Sequence, residues 1–305
     1  MCRALAYIGP PLVVDELLYQ PDSSLVRQSY EPQLLEMLNL GGFGMVAWDP
    51  SSHMPERPWT YRSTELPIYD ANLKALSEKL RAGCMLAHVR GIQYRADAGF
   101  GTHNLHPFFY EGRRWAMAHN GDLIAHSKMR FDLLARATPT VREQVRGTTD
   151  SETVYALVLS ELERRGRDDP DALLDAIHAT LQTLREVRAQ HGVDVNSALN
   201  LFFCDGQSIV GLRYTFDYGR YPLQNLERSA AGTHRYLSLW FTTGEAYRCV
   251  DGVWRMVGDP GSTDAVAVAS EPLTRDVTGW VEVPEYGALV VDRAGGRVEL
   301  LEVEH

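Results

Sequence analysis

The sequence predicts an α+β chain, and three observations predict it. The first ten residues carry a short apolar run that reads as a strand. Two segments near 152–164 and 171–190 repeat their apolar residues at helical period, with a short polar link between them. From about residue 197 the chain breaks into short β segments separated by turn residues. No linker-type composition divides the helical middle from the β-rich part, so residues 2–305 read as one continuous domain.

Composition bounds the function classes. A hydrophobic share of 45% and a charged share of 23% leave ample material for a packed core. There is no apolar run of the roughly 18–20 residues that span a bilayer, and no basic leader, so a cytoplasmic chain is expected. The net charge of −10 argues against a nucleic acid or an anionic membrane as partner, since either would want a basic face. Cys2, Cys84, Cys204 and Cys249 lie far apart with no paired spacing, so neither a disulfide framework nor a zinc ribbon is expected. His103 and His106 are three apart, but without a helix or a third ligand they predict no metal.

In chain order, Leu5, Tyr7 and Ile8 form the buried run of the first strand. At its tip, Cys2 would carry a thiol and a free α-amine on one carbon if Met1 were removed. Residues 11–20 read as a short helix entered through Pro10 and Pro11, followed by a polar loop containing Gln28 and Ser29, then another helical turn at 31–39. Glycines 41, 42 and 44 precede a strand ending near Trp48, and fit either a close backbone approach or a turn. Residues 50–68 read as a surface loop and 70–82 as a helix with Leu73, Leu76 and Leu80 on one face.

The near-continuous apolar strand 84–89 ends at Arg90, whose charge suits either a snorkelling surface group or a ligand clamp. A Gly-rich loop spans 91–107. The alternating segment 114–119 is followed by Asn120-Gly121-Asp122, which on its own reads as a hairpin turn. Thr149 and Glu152 have capping-box spacing ahead of Val154, Leu157, Val158 and Leu162, which puts Asp150 in the first turn, where a carboxylate is favoured. The 171–190 helix presents Leu173, Leu174, Ile177, Leu181, Leu184 and Val187 on one face and packs antiparallel to the preceding helix.

Taken together, these stretches resemble the class II (N-terminal nucleophile) glutamine amidotransferases. The resemblance rests on the Met-Cys-Arg opening, His88-Val89-Arg90, His106-Pro107-Phe108, His119-Asn120-Gly121 and Thr149-Asp150-Ser151-Glu152. Their order carries it further, with 88, 30 and 30 positions separating Cys2, Arg90, Asn120 and Asp150. The Gln28-Ser29 pair, Gly42-Phe43-Gly44 and a late Ala269-Ser270-Glu271-Pro272-Leu273 are similar to the stand-alone branch. That branch includes the γ-glutamyl amidohydrolase of ergothioneine biosynthesis and the glutathione-degrading amidotransferase. The chain departs from these relatives at Gly41, where they usually carry an acid, and has Asp122 after Asn-Gly.

The resemblance implies a four-layer αββα sandwich, two antiparallel sheets flanked by helices, with the catalytic motifs in 2–165. It implies Cys2 as the nucleophile, its α-amine as the base, and Asn120 and Gly121 at the oxyanion hole. Arg90 and Asp150 would hold the carboxylate and ammonium of a glutamyl substrate, with Gln28, His88 and His106 around them. No cofactor is called for. The partner expected is a small γ-glutamyl molecule; a second copy of the chain, or a separate synthase or peptidase, is left open. The alternatives are a glutaminase subunit supplying ammonia to a synthase and an inactive scaffold of the same fold. Residues 50–68 and 214–236 are the candidate walls for specificity.

Overall fold

Alternation of side chains across a strand turns a single register into two different surfaces, and the first strand uses both. The even residues Ala4, Ala6 and Ile8 face one apolar cluster, while Leu5 and Tyr7 face another. A strand buried on both faces belongs inside a sheet, and that is where this one lies.

The computed structural model describes residues 2–34, 38–91, 101–218 and 237–304. The first half runs β1 (Arg3–Val13), α1 (Asp15–Leu18), α2 (Leu25–Gln28), β2 (Phe43–Trp48), β3 (Trp59–Ser63), α3 (Ala71–Ser77) and β4 (Arg81–Val89). The middle is β5 (Ala116–Asp122), α4 (His126–Arg136), α5 (Pro139–Arg142), α6 (Asp150–Arg165) and α7 (Pro170–Gln190). Then come β6 (Ser197–Cys204), β7 (Ser208–Phe216), β8 (Trp240–Gly244), β9 (Ala246–Val250) and β10 (Val253–Val257). The chain finishes with β11 (Ala265–Ala269), β12 (Val281–Glu282), β13 (Gly287–Asp292) and β14 (Arg297–Glu302).

One antiparallel sheet has the order β12-β8-β11-β1-β4-β2-β3 and the other β14-β13-β7-β6-β5, with β9 and β10 forming a separate hairpin. The facing sides of the two sheets share one core, built from Ala4, Ala6, Ile8, Leu86, Ala118, Phe202, Val268 and Leu289 among others. The outer face of the first sheet is covered by α1, α2 and α3 through Leu17, Leu18, Leu25 and Leu73. The outer face of the second is covered by α4, α6 and α7 through Met129, Leu133, Val154, Val158, Leu173 and Leu184. The architecture is therefore an αββα sandwich. Late strands complete both sheets: β11 pairs directly with β1, with Leu5 opposite Ala269.

Several local expectations are corrected. Residues 11–13 continue β1, with a register shift between Ile8 and Leu12, so only Asp15–Leu18 is helical in 11–20. Leu25–Gln28 is helical instead, with Ser24 Oγ accepting the Arg27 N–H as its cap, while 31–34 and 38–39 are not helical and residues 35–37 of the turn expected at 31–39 lie outside the described residues. The surface loop 50–68 contains the edge strand β3, and the 70–82 helix ends at Ser77. Asn120-Gly121 is not a hairpin turn: both residues lie inside β5, opposite Asn200 and Leu199. The helix α4 was not anticipated; its N-cap Ala125 offers no capping side chain to announce it. Met1, and the 219–236 part of the second specificity wall, lie outside the described residues.

The glycines ahead of β2 serve backbone approach. Gly42 has a φ of 105°, which favours glycine. Gly44 lies opposite His88, and a Cβ there would collide with the His106 carbonyl oxygen. The Arg62 guanidinium holds the same segment by donating to the Pro107 carbonyl at 2.5 Å. Gly44→Ala is expected to cost about 1–3 kcal/mol of stability through overpacking. The check is the midpoint of urea unfolding, and an unchanged midpoint would refute the tight approach.

Candidate active site

Parity along the strands brings the N-terminal thiol and two other residues of the family pattern to the same gap. Cys2 continues the inward series of Ala4 and Ala6, Arg90 continues that of Cys84, Leu86 and His88, and Asn120 follows the inward Ala118. The Cys2 sulfur accepts the Gly91 N–H at 3.3 Å, so the thiol sits against the end of β4. Burial pushes the Cys2 thiol up, while the Gly91 N–H and the Arg90 charge pull it down and Asp150 adds to the rise. Burial likewise lowers Arg90, which feels the charges of Cys2 and Asp150. Cys2, Arg90 and Asp150 are thus within electrostatic reach of one another.

Asp150 is the first residue of α6, behind the Thr149 cap. Its two carboxylate oxygens accept from Leu123 N and Ser151 N, each at 2.8 Å. Burial works against its charge, but the His119 ring and these N–H donors outweigh burial and hold the carboxyl below the usual range. Glu152, the other acid of the motif, does different work. Its carboxylate accepts from Tyr110 Oη at 3.0 Å and from the Arg146 and Gly147 backbone at 2.9 and 2.5 Å, tying the loop before the helix.

Asn120 is buried and faces β11. Its Nδ2 lies 3.1 Å from Ser270 Oγ, which also accepts the Ala4 N–H at 2.9 Å. Gly121 is required by packing: a Cβ would meet the Ala198 carbonyl oxygen and His119 Nε2. The glycine therefore admits the neighbouring strand β6.

Three histidines surround the site and none is exposed. His106 Nδ1 lies 2.9 Å from His88 Nε2 and accepts the His119 backbone N–H at 3.5 Å, so His88 Nε2 carries the shared proton. That leaves His88 Nδ1 as a buried acceptor without a partner. His119 bonds Ser151 Oγ at 2.9 Å and Ala198 O at 3.3 Å. Burial drives His88 down to about 3, His106 well below its ordinary value, and His119 down as well.

Gln28 stands outside this group. Its amide Nε2 reaches the carbonyls of Ser23, Glu271 and Pro272 at 2.7, 3.3 and 3.1 Å, and so anchors the turn after β11. That turn contains residues to which sequence reasoning assigned no role. Arg3 pairs with Glu271 at 3.4 Å and donates to the Cys2 carbonyl at 3.0 Å. The signal was present in the Cys-Arg opening and in the late Ser-Glu pair, but their meeting requires β1 and β11 to be neighbours.

Comparison with known proteins shows the family and the fold. A family model described as class-II glutamine amidotransferases matches residues 69–238. The probable glutamine amidotransferase DUG3 of Saccharomyces cerevisiae is 27% identical over 312 residues, 96% of this chain and 82% of that protein. The gamma-glutamyl-hercynylcysteine sulfoxide hydrolase of Mycolicibacterium smegmatis is 27% identical over 213 residues, 69% of this chain and 78% of that protein. Among solved structures, a glutamine aminotransferase class-II domain protein from Silicibacter pomeroyi superposes with a TM-score of 0.63 at 22% identity. That match covers 99% of this chain and 100% of the other, and shows a common fold.

The depressed histidines make stability depend on pH. Unfolding returns each ring to a value near 6.5, so the unfolded chain takes up protons that the folded chain refuses. Their contribution is complete above about pH 6.5 and is lost as pH falls toward the folded values, about 3 for His88. Asp150 acts lower, since its contribution is lost only below about pH 4. Urea unfolding at pH 7.5, 6.0 and 5.0 should show stability falling by up to roughly 1.4 kcal/mol per pH unit for each proton taken up. His88→Gln should reduce that slope by about one proton. A flat dependence over this range would contradict the neutral, buried assignment.

Proposed function

Because the chain belongs to the class-II glutamine amidotransferases, we propose that it hydrolyses glutamine or a γ-glutamyl amide through a thioester on Cys2, freed by removal of Met1. The observation that carries this reading is the Cys2 sulfur at 3.3 Å from the Gly91 N–H, on the same gap as Arg90 and Asn120 and within electrostatic reach of Asp150. The names of the relatives point the same way: one is a glutamine amidotransferase and another a hydrolase of a γ-glutamyl compound.

The chemistry divides into holding and reacting. A γ-glutamyl group carries a carboxylate and an ammonium on its α-carbon, at some distance from the scissile carbonyl. Arg90 suits the carboxylate, since a guanidinium offers two parallel donors. Asp150 suits the ammonium, because its carboxyl stays ionised across the neutral range. With the α-carbon held between opposite charges, the γ-carbonyl is presented to Cys2 and the leaving group extends away.

The Cys2 thiol is protonated at rest because burial raises it, so attack requires a base. Once Met1 is gone, the α-amine of Cys2 takes the thiol proton as the sulfur bonds to the carbonyl carbon. Asn120 and the Gly121 N–H stabilise the oxyanion. The tetrahedral species collapses, the C–N bond breaks, and the amine proton passes to the departing nitrogen. Water, deprotonated by the same amine, then cleaves the thioester and releases glutamate with a free thiol.

The experiment is a panel of γ-glutamyl amides, glutamine included, assayed with the wild type, Cys2→Ala and Asn120→Ala. Cys2→Ala should release no glutamate, and equal turnover by this variant would overturn the mechanism. Asn120→Ala should lower kcat by about 100–1,000-fold with little change in KM. For the wild type, kcat/KM should rise with pH through the amine range of about 7.7–8.0, since the base works unprotonated. Intact mass should show that the active protein has lost Met1.

A further inference from the structure

Resting on that reading, we infer that Ser270 is a positioning residue that sets which end of the Asn120 amide faces the substrate. Ser270 belongs to the turn that follows β11 and is buried. Its backbone is tied to β1, since Ser270 N donates to Ala4 O, and to the segment before β8, since Ser238 Oγ donates to Ser270 O, both at 2.9 Å. Its hydroxyl oxygen accepts the Ala4 N–H at 2.9 Å and lies 3.1 Å from the Asn120 amide. One side chain therefore bridges β1, two residues from the nucleophile, and β5, which lies on the opposite sheet.

The Asn120 amide has two settings against Ser270, and they differ in which of its atoms is left facing the site. With Asn120 Nδ2 toward Ser270, the serine oxygen receives two N–H groups while its own proton has no acceptor among the described residues. Asn120 Oδ1 is then buried without a partner. A buried acceptor left so is unfavourable. A half-turn of the amide pairs the serine proton with Oδ1 and leaves donors, instead of an acceptor, facing the site. The serine hydroxyl, already accepting from Ala4, donates its proton to Oδ1. The Nδ2 donors take the place that Oδ1 vacates, unpaired until an oxygen develops negative charge beside them. A donor left waiting in this way is what transition-state stabilisation requires, because its bond is gained only as the barrier is crossed.

Ser270 thus acts through Asn120 and leaves the binding charges untouched. The test is a double-mutant cycle of Ser270→Ala and Asn120→Ala, with glutamine and the best γ-glutamyl amide as substrates and thermal unfolding measured alongside. Ser270→Ala is expected to lower kcat 10–100-fold and leave KM within twofold. Added to Asn120→Ala, it should cost less than a further twofold, because the amide it orients is gone. Wild-type kcat in Ser270→Ala, or losses that multiply in the double variant, would overturn the inference while leaving Cys2 as nucleophile intact. Retained turnover in Cys2→Ala would instead overturn the reading beneath it.

Discussion

The buried pair of Arg3 and Glu271 is the constraint on which the site depends. Each side chain is 2% exposed. Taking both charges out of water costs several kcal/mol per ion, so the pair persists only because its remaining valences are used. Arg3 gives a hydrogen bond to the Cys2 carbonyl, while Glu271 accepts from the backbone of Gln33 and Leu34 at 3.3 and 2.9 Å. Chain ends fray unless something ties them down. Here the tie is placed one residue from the thiol and on the opposite face of the strand. A hydrophobic pair of the same volume could bury the same surface, but it could not hold the Cys2 carbonyl. The ion pair is better understood as fixing the position of a terminus than as a store of stability.

Much of the architecture was legible because burial on both faces leaves a strong pattern. The run through Leu5 and Ile8, the apolar strand at 84–89, and the β segments from 197 onward all occur as strands near the expected places. The helices α6 and α7 were equally legible, each carrying a cap and a long apolar stripe. What escaped was weakly patterned. The strand β3 is an edge strand with no fully buried residue, Thr60 being exposed and the other four half-buried, so it carries no clear alternation. The first strand runs on through Pro10 and Pro11, where a missing N–H argues against a strand, because the pairing shifts register there. The helix α4 buries just Met129 and Leu133 and leaves Phe131 exposed, which blurs its stripe.

The candidate site was legible residue by residue, but its supports were not. Arg90, Asn120 and Asp150 announce themselves through motif order. Ser270 and Glu271 lie some 270 positions from Cys2, and only the β1–β11 pairing makes them its neighbours. Asn120-Gly121 shows the reverse problem. Two residues that usually turn a hairpin are held inside β5, because the glycine is needed for the approach of the Ala198 carbonyl and the asparagine for Ser270. The missing acid at Gly41 also acquires a place. Gly41 N donates to the Arg90 carbonyl at 2.7 Å, so a carboxylate on residue 41 would stand next to the end of β4. With glycine there, no such negative charge offsets the Arg90 guanidinium.

The surrounding histidines bear on which group takes the thiol proton. Histidine is the usual base near neutral pH, and three stand close to this site. Each is held neutral by burial, and His88 is pushed down to about 3. Proton transfer from a thiol that burial has raised to a ring so depressed runs steeply uphill, at about 1.4 kcal/mol for every pH unit of mismatch. These rings are suited to fixing the strand ends, as the bond between His106 and His88 does. An α-amine near 7.7–8.0 is far better matched to the thiol. On the proposed mechanism, with Met1 removed, it would also be carried on the same residue and need no second element to position it. The burial that makes the base necessary has a compensating effect, because a thiolate formed from a higher-pKa thiol is the stronger nucleophile. On the proposed mechanism, the same desolvation that raises the Cys2 thiol would therefore raise its reactivity once the amine has taken the proton.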